Sequence, residues 1–310
     1  MATESAVAKI ALPTAAAPRE RSDKRLLSDY WALTKPEVNF LIAITVLAGF
    51  CLASHASPRT FPFVLLIHAL LGSVLIASGA GALNQVIERR FDSRMRRTSR
   101  RPLVAGTIAP APALWFGILL SLGGAAYLAL AVNLLSSVIA VLTLGSYLAV
   151  YTPLKRTTPM CTFAGALPGA APPLIGWAAA SGNLRSEAWL LFSLLFLWQF
   201  PHFMAIAWMY REDYDRAGYR VLPQGGYRQR IVALQTLVPS LLLVPISLFP
   251  TLLGDEGKIY LLGATVLTMA FLYCAVQLAL HRSNVMARRL LLASIIYLPS
   301  LFLLMLLDRT

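Results

Sequence analysis

Long apolar runs separated by short polar intervals set the pattern of this chain. Nine such runs lie at about residues 38–56, 61–83, 109–131, 133–152, 160–180, 187–208, 231–251, 259–280 and 288–307. Each is near the roughly twenty residues that a helix needs to cross about 30 Å of hydrocarbon. Backbone inside lipid must satisfy its own hydrogen bonds, so the pattern predicts an all-α polytopic membrane protein with nine transmembrane helices. Residues 1–30 hold no continuous apolar segment and are expected to be a disordered cytoplasmic tail. Residues 31–310 are expected to form one transmembrane domain.

The runs differ in their internal detail. The second ends in small residues, Ala77, Ser78, Gly79, Ala80, Gly81 and Ala82, which permit close helix contact. The fifth places Gly165, Gly169 and Gly176 among Pro168, Pro172 and Pro173, and so predicts a kinked helix lining a cavity. The sixth carries Gln199 and His202 inside LWQFPHF. Polar groups are costly in lipid, which makes both candidates for touching substrate, with a satisfied structural histidine as the plainer alternative. At the start of the first run, LTKPE reads as a helix start, with Pro36 in the first turn, Thr34 as a cap and Lys35 at headgroup level.

Composition agrees with the pattern. With 57% hydrophobic and 13% charged residues, the chain is too apolar for an ordinary soluble globule. Its net charge of +13 raises the question of nucleic acid, but the distribution answers it. Threading the nine spans puts 23 of the 27 Lys and Arg on one side. By the positive-inside rule that side is cytoplasmic, which predicts a cytoplasmic N-terminus and an external C-terminus. The basicity follows topology, and no nucleic-acid partner is expected. The three cysteines, Cys51, Cys161 and Cys274, are isolated and suggest neither disulfides nor a zinc site.

One interval stands apart. Asn84–Leu103 reads NQVIERRFDSRMRRTSRRPL, with one Glu, one Asp and seven Arg in twenty residues. Asn84, Glu88 and Asp92 are spaced i, i+4, i+8, which keeps them within roughly 80° on one helix face. Oxygen ligands of this kind suit Mg²⁺, which keeps several waters and shares its shell with substrate phosphate. The arginines can hold the rest of a polyanion, although Arg-rich loops after a membrane helix also serve as topology signals. A metal–diphosphate site at a membrane surface is the expectation.

Two further elements extend it. Tyr151 and Lys155 in YTPLKR share a helix face beside Arg156, where Lys155 is either a snorkelling anchor or a point charge for a diphosphate. After the sixth run comes YREDYDRAGYRVLP, with Arg211, Asp213 and Asp215. The two aspartates are i, i+2 and diverge on a helix, so one of them is expected to join the first cluster. Two facing acidic clusters can hold more than one Mg²⁺ against a diphosphate.

Asn84–Asp92 resembles the first acidic motif, NxxxDxxxD, of the UbiA superfamily of intramembrane prenyltransferases. With LTKPEV, YTPLKR, GALPGAAPPLIGW, LWQFPHF and DYDRAGYRVLP, the fuller set is similar to its heme O synthase branch from about Leu33 to Pro223. The resemblance implies nine helices around a lipid-facing cavity in a cell inner membrane. It implies transfer of a farnesyl group from farnesyl diphosphate to a vinyl group of heme B, with addition of water, for heme–copper oxidase biogenesis. It also points to heme A synthase or terminal-oxidase assembly as a protein partner. By resemblance, Asn84, Glu88, Asp92 and Asp213 hold Mg²⁺, with Tyr151 and Lys155 in the catalytic set. Arg97, Arg101, Arg156 and Arg211 bind phosphate, and Gln199 or His202 orients heme. Glu88 departs from the usual Asp by one methylene. Three other readings compete: a related enzyme prenylating a quinone precursor or chlorin, a secondary transporter for an anionic lipid or phosphate compound, and a heme-binding membrane assembly protein without catalysis.

Overall fold

The apolar runs become helices because each closes its own hydrogen bonds and turns its side chains to lipid. A computed structural model of the protein describes residues 23–54, 60–222, 226–253 and 256–308. In chain order the helices are α1 (Asp23–Leu33), α2 (Pro36–Ala53), α3 (Phe63–Asp92), α4 (Pro102–Ala105), α5 (Pro110–Ala131) and α6 (Leu134–Gly145). A π-helical turn (Ser146–Tyr151) links α6 to α7 (Thr152–Leu154). There follow α8 (Cys161–Ala170), α9 (Pro172–Ser181), α10 (Ser186–Met209), α11 (Arg211–Ala217), α12 (Gly226–Leu253), α13 (Lys258–His281) and α14 (Asn284–Leu307).

Among the described residues, eight helices are long and apolar enough to cross a membrane, with Leu134–Leu154 counted as one. Their outer faces carry large exposed apolar side chains, such as Leu119 at 67% and Leu130 at 89%. A solvated protein does not leave such a surface bare, whereas lipid accepts it.

The fifth expected span, residues 160–180, is the exception. It is two ten-residue helices, α8 and α9, meeting at Ala171. The break follows from Pro172 and Pro173, which remove two successive backbone donors. This segment is kinked as expected, but its glycines do not face a cavity. A Cβ on Gly165 would lie 2.6 Å from the Tyr151 ring, and one on Gly169 would overlap the Gln199 side chain. One on Gly176 would strike the Val46 carbonyl of α2. The Gly and Pro residues let α2 cross a buried central element at backbone contact, as small residues do in membrane packing.

The small residues ending the second run play the expected part. A Cβ on Gly79 would overlap Ser121 of α5, and one on Gly81 would come within 3.2 Å of the Thr34 carbonyl. Around this centre α3 packs on α5, α10 on α12 and α14, and α13 on α14, while α14 returns to touch α2. That return closes the bundle.

Two expectations need correction at the N-terminus. Residues 1–22 of the expected tail lie outside the described residues, but the chain is already helical at Asp23. Leu33 is fully buried, and Tyr30 packs edge-on against Phe116 at 5.0 Å, so α1 has an apolar side to bury. Lys35, expected at headgroup level, turns inward instead. It adopts a left-handed backbone (φ 55°, ψ 63°), a conformation that costs a non-glycine residue on the order of 1–3 kcal/mol.

Candidate active site

The C-terminal turns of α3 form one side of the site. Asn84, Glu88 and Asp92 lie along one face and are 1%, 3% and 2% exposed. Buried carboxylates need partners, and each member of this row has a cation. The ammonium of Lys35 donates to Asn84 Oδ1 at 2.7 Å. Lys155 Nζ donates to Glu88 Oε1 at 2.7 Å, and Arg101 Nη1 to Asp92 Oδ2 at 2.5 Å. Asn84 also donates from Nδ2 to Thr152 Oγ1 at 3.3 Å. Three cations from three separate stretches thus line up against three oxygen-bearing side chains.

Local structure explains how they converge. The left-handed turn at Lys35 points its side chain back across α3. The π-turn before Tyr151 widens the helix, a deformation frequent at functional sites. It sets the tilted rings of Tyr147 and Tyr151 5.5 Å apart and the Lys155 ammonium 4.5 Å from the Tyr151 ring centre. The spacing of Tyr151 and Lys155 therefore yields the shared face it predicts. Thr98 donates to the Asp92 backbone carbonyl at 2.7 Å, which folds the arginine-rich loop back so that Arg101 reaches Asp92.

Electrostatics differ among the cations. Burial, reinforced by Arg101 and Lys155, pulls the Lys35 ammonium down to about 7. Burial also disfavours charge on Lys155, but adjacent Glu88 outweighs it, and the net direction is upward. Lys35 is therefore the weaker-held proton of the two.

The second cluster sits at the rim of the first. Asp213 is buried, accepts from the Arg97 backbone N–H at 3.1 Å and pairs with Arg216 at 2.6 Å. Asp215 diverges as predicted and pairs with Arg228 at 2.7 Å. The Arg97 guanidinium lies 5.1 Å from the Tyr210 ring centre. Gly218 (φ 77°) turns the chain after α11 and swings Tyr219 inward, where its ring meets Phe91 at 5.4 Å. The Arg220 N–H donates to the Lys155 carbonyl at 2.8 Å, fixing this loop to the first cluster. Tyr219 Oη is buried beside Glu88.

Four predicted residues lie elsewhere. Arg211 donates to the Trp208 carbonyl and to Asn284 Oδ1, both at 2.8 Å, and so ties α10 to α14. Arg156 turns away from the row, donating to the Ile87 carbonyl at 3.2 Å with its guanidinium 4.1 Å from the Phe91 ring centre. Gln199 donates to the Ala166 and Leu195 carbonyls. His202 stacks on Trp198 at 4.7 Å and bonds Ser294 Oγ at 2.7 Å. It lies seven residues before the end of α10, about 10 Å deeper along the helix. Sequence reasoning missed Lys35 and Tyr219 as members of the site.

The donor set suits a hard divalent cation. No three His, Cys, Asp or Glu side chains cluster tightly enough to hold a metal by themselves among the described residues. Mg²⁺ does not require that, since one or two carboxylates with substrate phosphates suffice. The buried oxygen row, already drawing in three cationic groups, meets that need.

Comparison with known proteins shows the family. Residues 42–304 match the model of the UbiA prenyltransferase family. The chain is 47% identical over 289 residues to a protoheme IX farnesyltransferase from Solibacter usitatus, covering 91% of this chain and 99% of the relative. It is 44% identical over 292 residues to a protein of the same name from Koribacter versatilis, covering 92% and 94%. Among solved structures, a digeranylgeranylglyceryl phosphate synthase superposes with TM-score 0.76 at 18% identity, over 92% of this chain and 98% of that one. A UbiA homologue from Archaeoglobus fulgidus, bound to GPP and Mg²⁺, superposes with TM-score 0.63 at 16% identity, over 87% and 99%. This multi-pass, all-helical membrane chain belongs to the UbiA prenyltransferase family, alongside its protoheme IX farnesyltransferase relatives.

Proposed function

We propose that the protein transfers the farnesyl group of farnesyl diphosphate to a vinyl group of heme B and yields heme O, with Mg²⁺ as cofactor. The reading rests chiefly on the buried Asn84–Glu88–Asp92 row with its three facing cations, and on relatives of that name along most of the chain. Asn84, Glu88, Asp92 and, from the second cluster, Asp213 would hold the metal. Bound there, Mg²⁺ would neutralise diphosphate oxygens and ease departure of the leaving group.

The chain's own groups do the rest. Lys35 exchanges the Asn84 carboxamide, and Lys155 and Arg101 their carboxylates, for phosphate oxygens when the substrate arrives. Arg97 adds charge at the rim, and Tyr219 adds a buried hydroxyl beside Glu88. These cations favour the charge that develops on the diphosphate as the C–O bond breaks and its electron pair leaves. The vinyl π electrons form the new C–C bond to the allylic farnesyl carbon. Water then adds its oxygen to the remaining carbocation and releases a proton, giving the hydroxyethylfarnesyl side chain. Burial of the row keeps water from the allylic cation until the acceptor attacks. Gln199, His202, Arg156 and Arg211 are given no part in diphosphate binding, because their contacts hold them away from the Asn84–Glu88–Asp92 row.

In this reading the protein sits in the cell inner membrane with its N-terminus in the cytoplasm, and heme O passes to a heme A synthase or terminal-oxidase assembly. A transporter reading fits less well. Glu88, Asp92 and Asp213 gather at the ends of helices, whereas a carrier places its coupling site near the bilayer midplane. A competition assay separates the acceptors. Offered heme B and a prenylatable phenol with farnesyl diphosphate and Mg²⁺, the purified protein is expected to modify heme alone. Prenylation of the phenol beside unchanged heme would overturn the assignment.

A further inference from the structure

A second feature of α3 lies away from the acidic row. At roughly 100° per residue, the mean direction of Val86, Ile87 and Arg90 points about 150° from that of Asn84, Glu88 and Asp92. On that flank the end of α3, the start of α5 and the loop after α7 enclose an open cleft of about 660 Å³. Arg89, Arg90, Arg94 and Arg156 line it, over an apolar floor that includes Ile87 and Phe91.

None of these four arginines forms an ion pair with a carboxylate among the described residues. Arg156 is held rigidly, stacked 4.1 Å from Phe91 and bonded to the Ile87 carbonyl, yet its Nε is buried without a partner. A fixed guanidinium with an unused donor, beside three arginines without acid partners, is matched to phosphate oxygens. The cleft lies at the end of a membrane-crossing helix. One turn below its Pro110 rim, Leu114 is 39% exposed on the outer surface.

We propose that this cleft binds the phosphate headgroup of an anionic membrane lipid, whose acyl chains lie along the exposed apolar surface of α3 and α5. Charge complementarity selects the headgroup, and the apolar floor with the lipid-facing wall selects an amphiphile over a soluble anion. The acidic row cannot share this ligand, since α3 stands between the two.

The test is lipid retention by native mass spectrometry of the full-length protein, released from micelles holding equal phosphatidylglycerol and phosphatidylcholine. Wild type is expected to retain phosphatidylglycerol preferentially, a result read without any variant. Arg90→Gln with Arg94→Gln is expected to lower that preference by roughly tenfold or more, from about 1 kcal/mol per surface arginine. Arg96→Gln with Arg100→Gln removes equal charge from the same loop outside the cleft and should keep the preference. Three results would overturn the site: no preference in wild type, equal loss in both double variants, or displacement of the lipid by millimolar free diphosphate.

Discussion

Lys155→Met isolates the ion pair of the row whose cation is the more deeply buried. The Lys155 and Glu88 side chains are 12% and 4% exposed and meet at 2.7 Å, so the substitution leaves a carboxylate buried without its main cation. Breaking a buried pair from one side costs about 3–5 kcal/mol, while replacing both partners with neutral groups is often close to neutral. At roughly 2–4 °C per kcal/mol for a chain of a few hundred residues, the single variant should lose on the order of 6–20 °C in Tm. Glu88→Gln with Lys155→Met should recover most of that loss. The assay is the thermal unfolding midpoint of purified protein in one detergent, followed by tryptophan fluorescence, with farnesyl transfer measured in parallel. Transfer should stay abolished in the double variant, because Lys155 no longer reaches phosphate and Glu88 no longer offers charge. A single variant as stable as wild type, or a double variant no better than the single, would refute a coupled buried pair. Restored transfer in the double variant would refute its role in the reaction.

Other perturbations read other parts of the account. Asp92→Asn keeps the shape but removes the charge that faces Arg101, and should lower Mg²⁺-dependent transfer by at least about a hundredfold in steady-state kinetics. Lys35→Met removes a charged hydrogen bond worth about 1.5–3 kcal/mol and should lower kcat/KM roughly 10- to 100-fold, with little change in helix content by circular dichroism. His202→Ala loses the Ser294 bond and the Trp198 stack and should lower Tm, while transfer per folded enzyme stays at the wild-type rate. Gly165→Ala drives a methyl against the Tyr151 ring and should cost about 1–3 kcal/mol of stability in the same melting assay.

The sequence was most legible where its information is local. The i, i+4, i+8 spacing puts Asn84, Glu88 and Asp92 on one face, and the Tyr151–Lys155 spacing sets ammonium against ring. The i, i+2 spacing sends Asp213 and Asp215 to different partners. Each follows from helix geometry alone. Contacts between distant segments were less legible. Nothing local announces that Lys35 reaches Asn84 across 49 positions, since the left-handed turn that aims it is imposed by packing. Arg156 and Arg211 carry the charge expected of diphosphate ligands, but packing turns them toward the Ile87 carbonyl and Asn284, away from the row. The tail reading failed from Asp23 onward because the apolar side of α1 is shallow and its value depends on α3 and α5 beneath it. Hydropathy recognised the fifth span by length, but could not see that it is two half-helices buried at the centre of the bundle.

The central claim is that the buried row on α3 supports Mg²⁺-dependent farnesyl transfer to heme. Its most direct test is the mass of heme recovered after wild type and Asp92→Asn are incubated with heme B and farnesyl diphosphate, with and without Mg²⁺. The account predicts a gain of one farnesyl group plus one water for wild type with Mg²⁺, and unchanged heme in the other three incubations. Unchanged heme in all four, or the same gain in Asp92→Asn as in wild type, would contradict it.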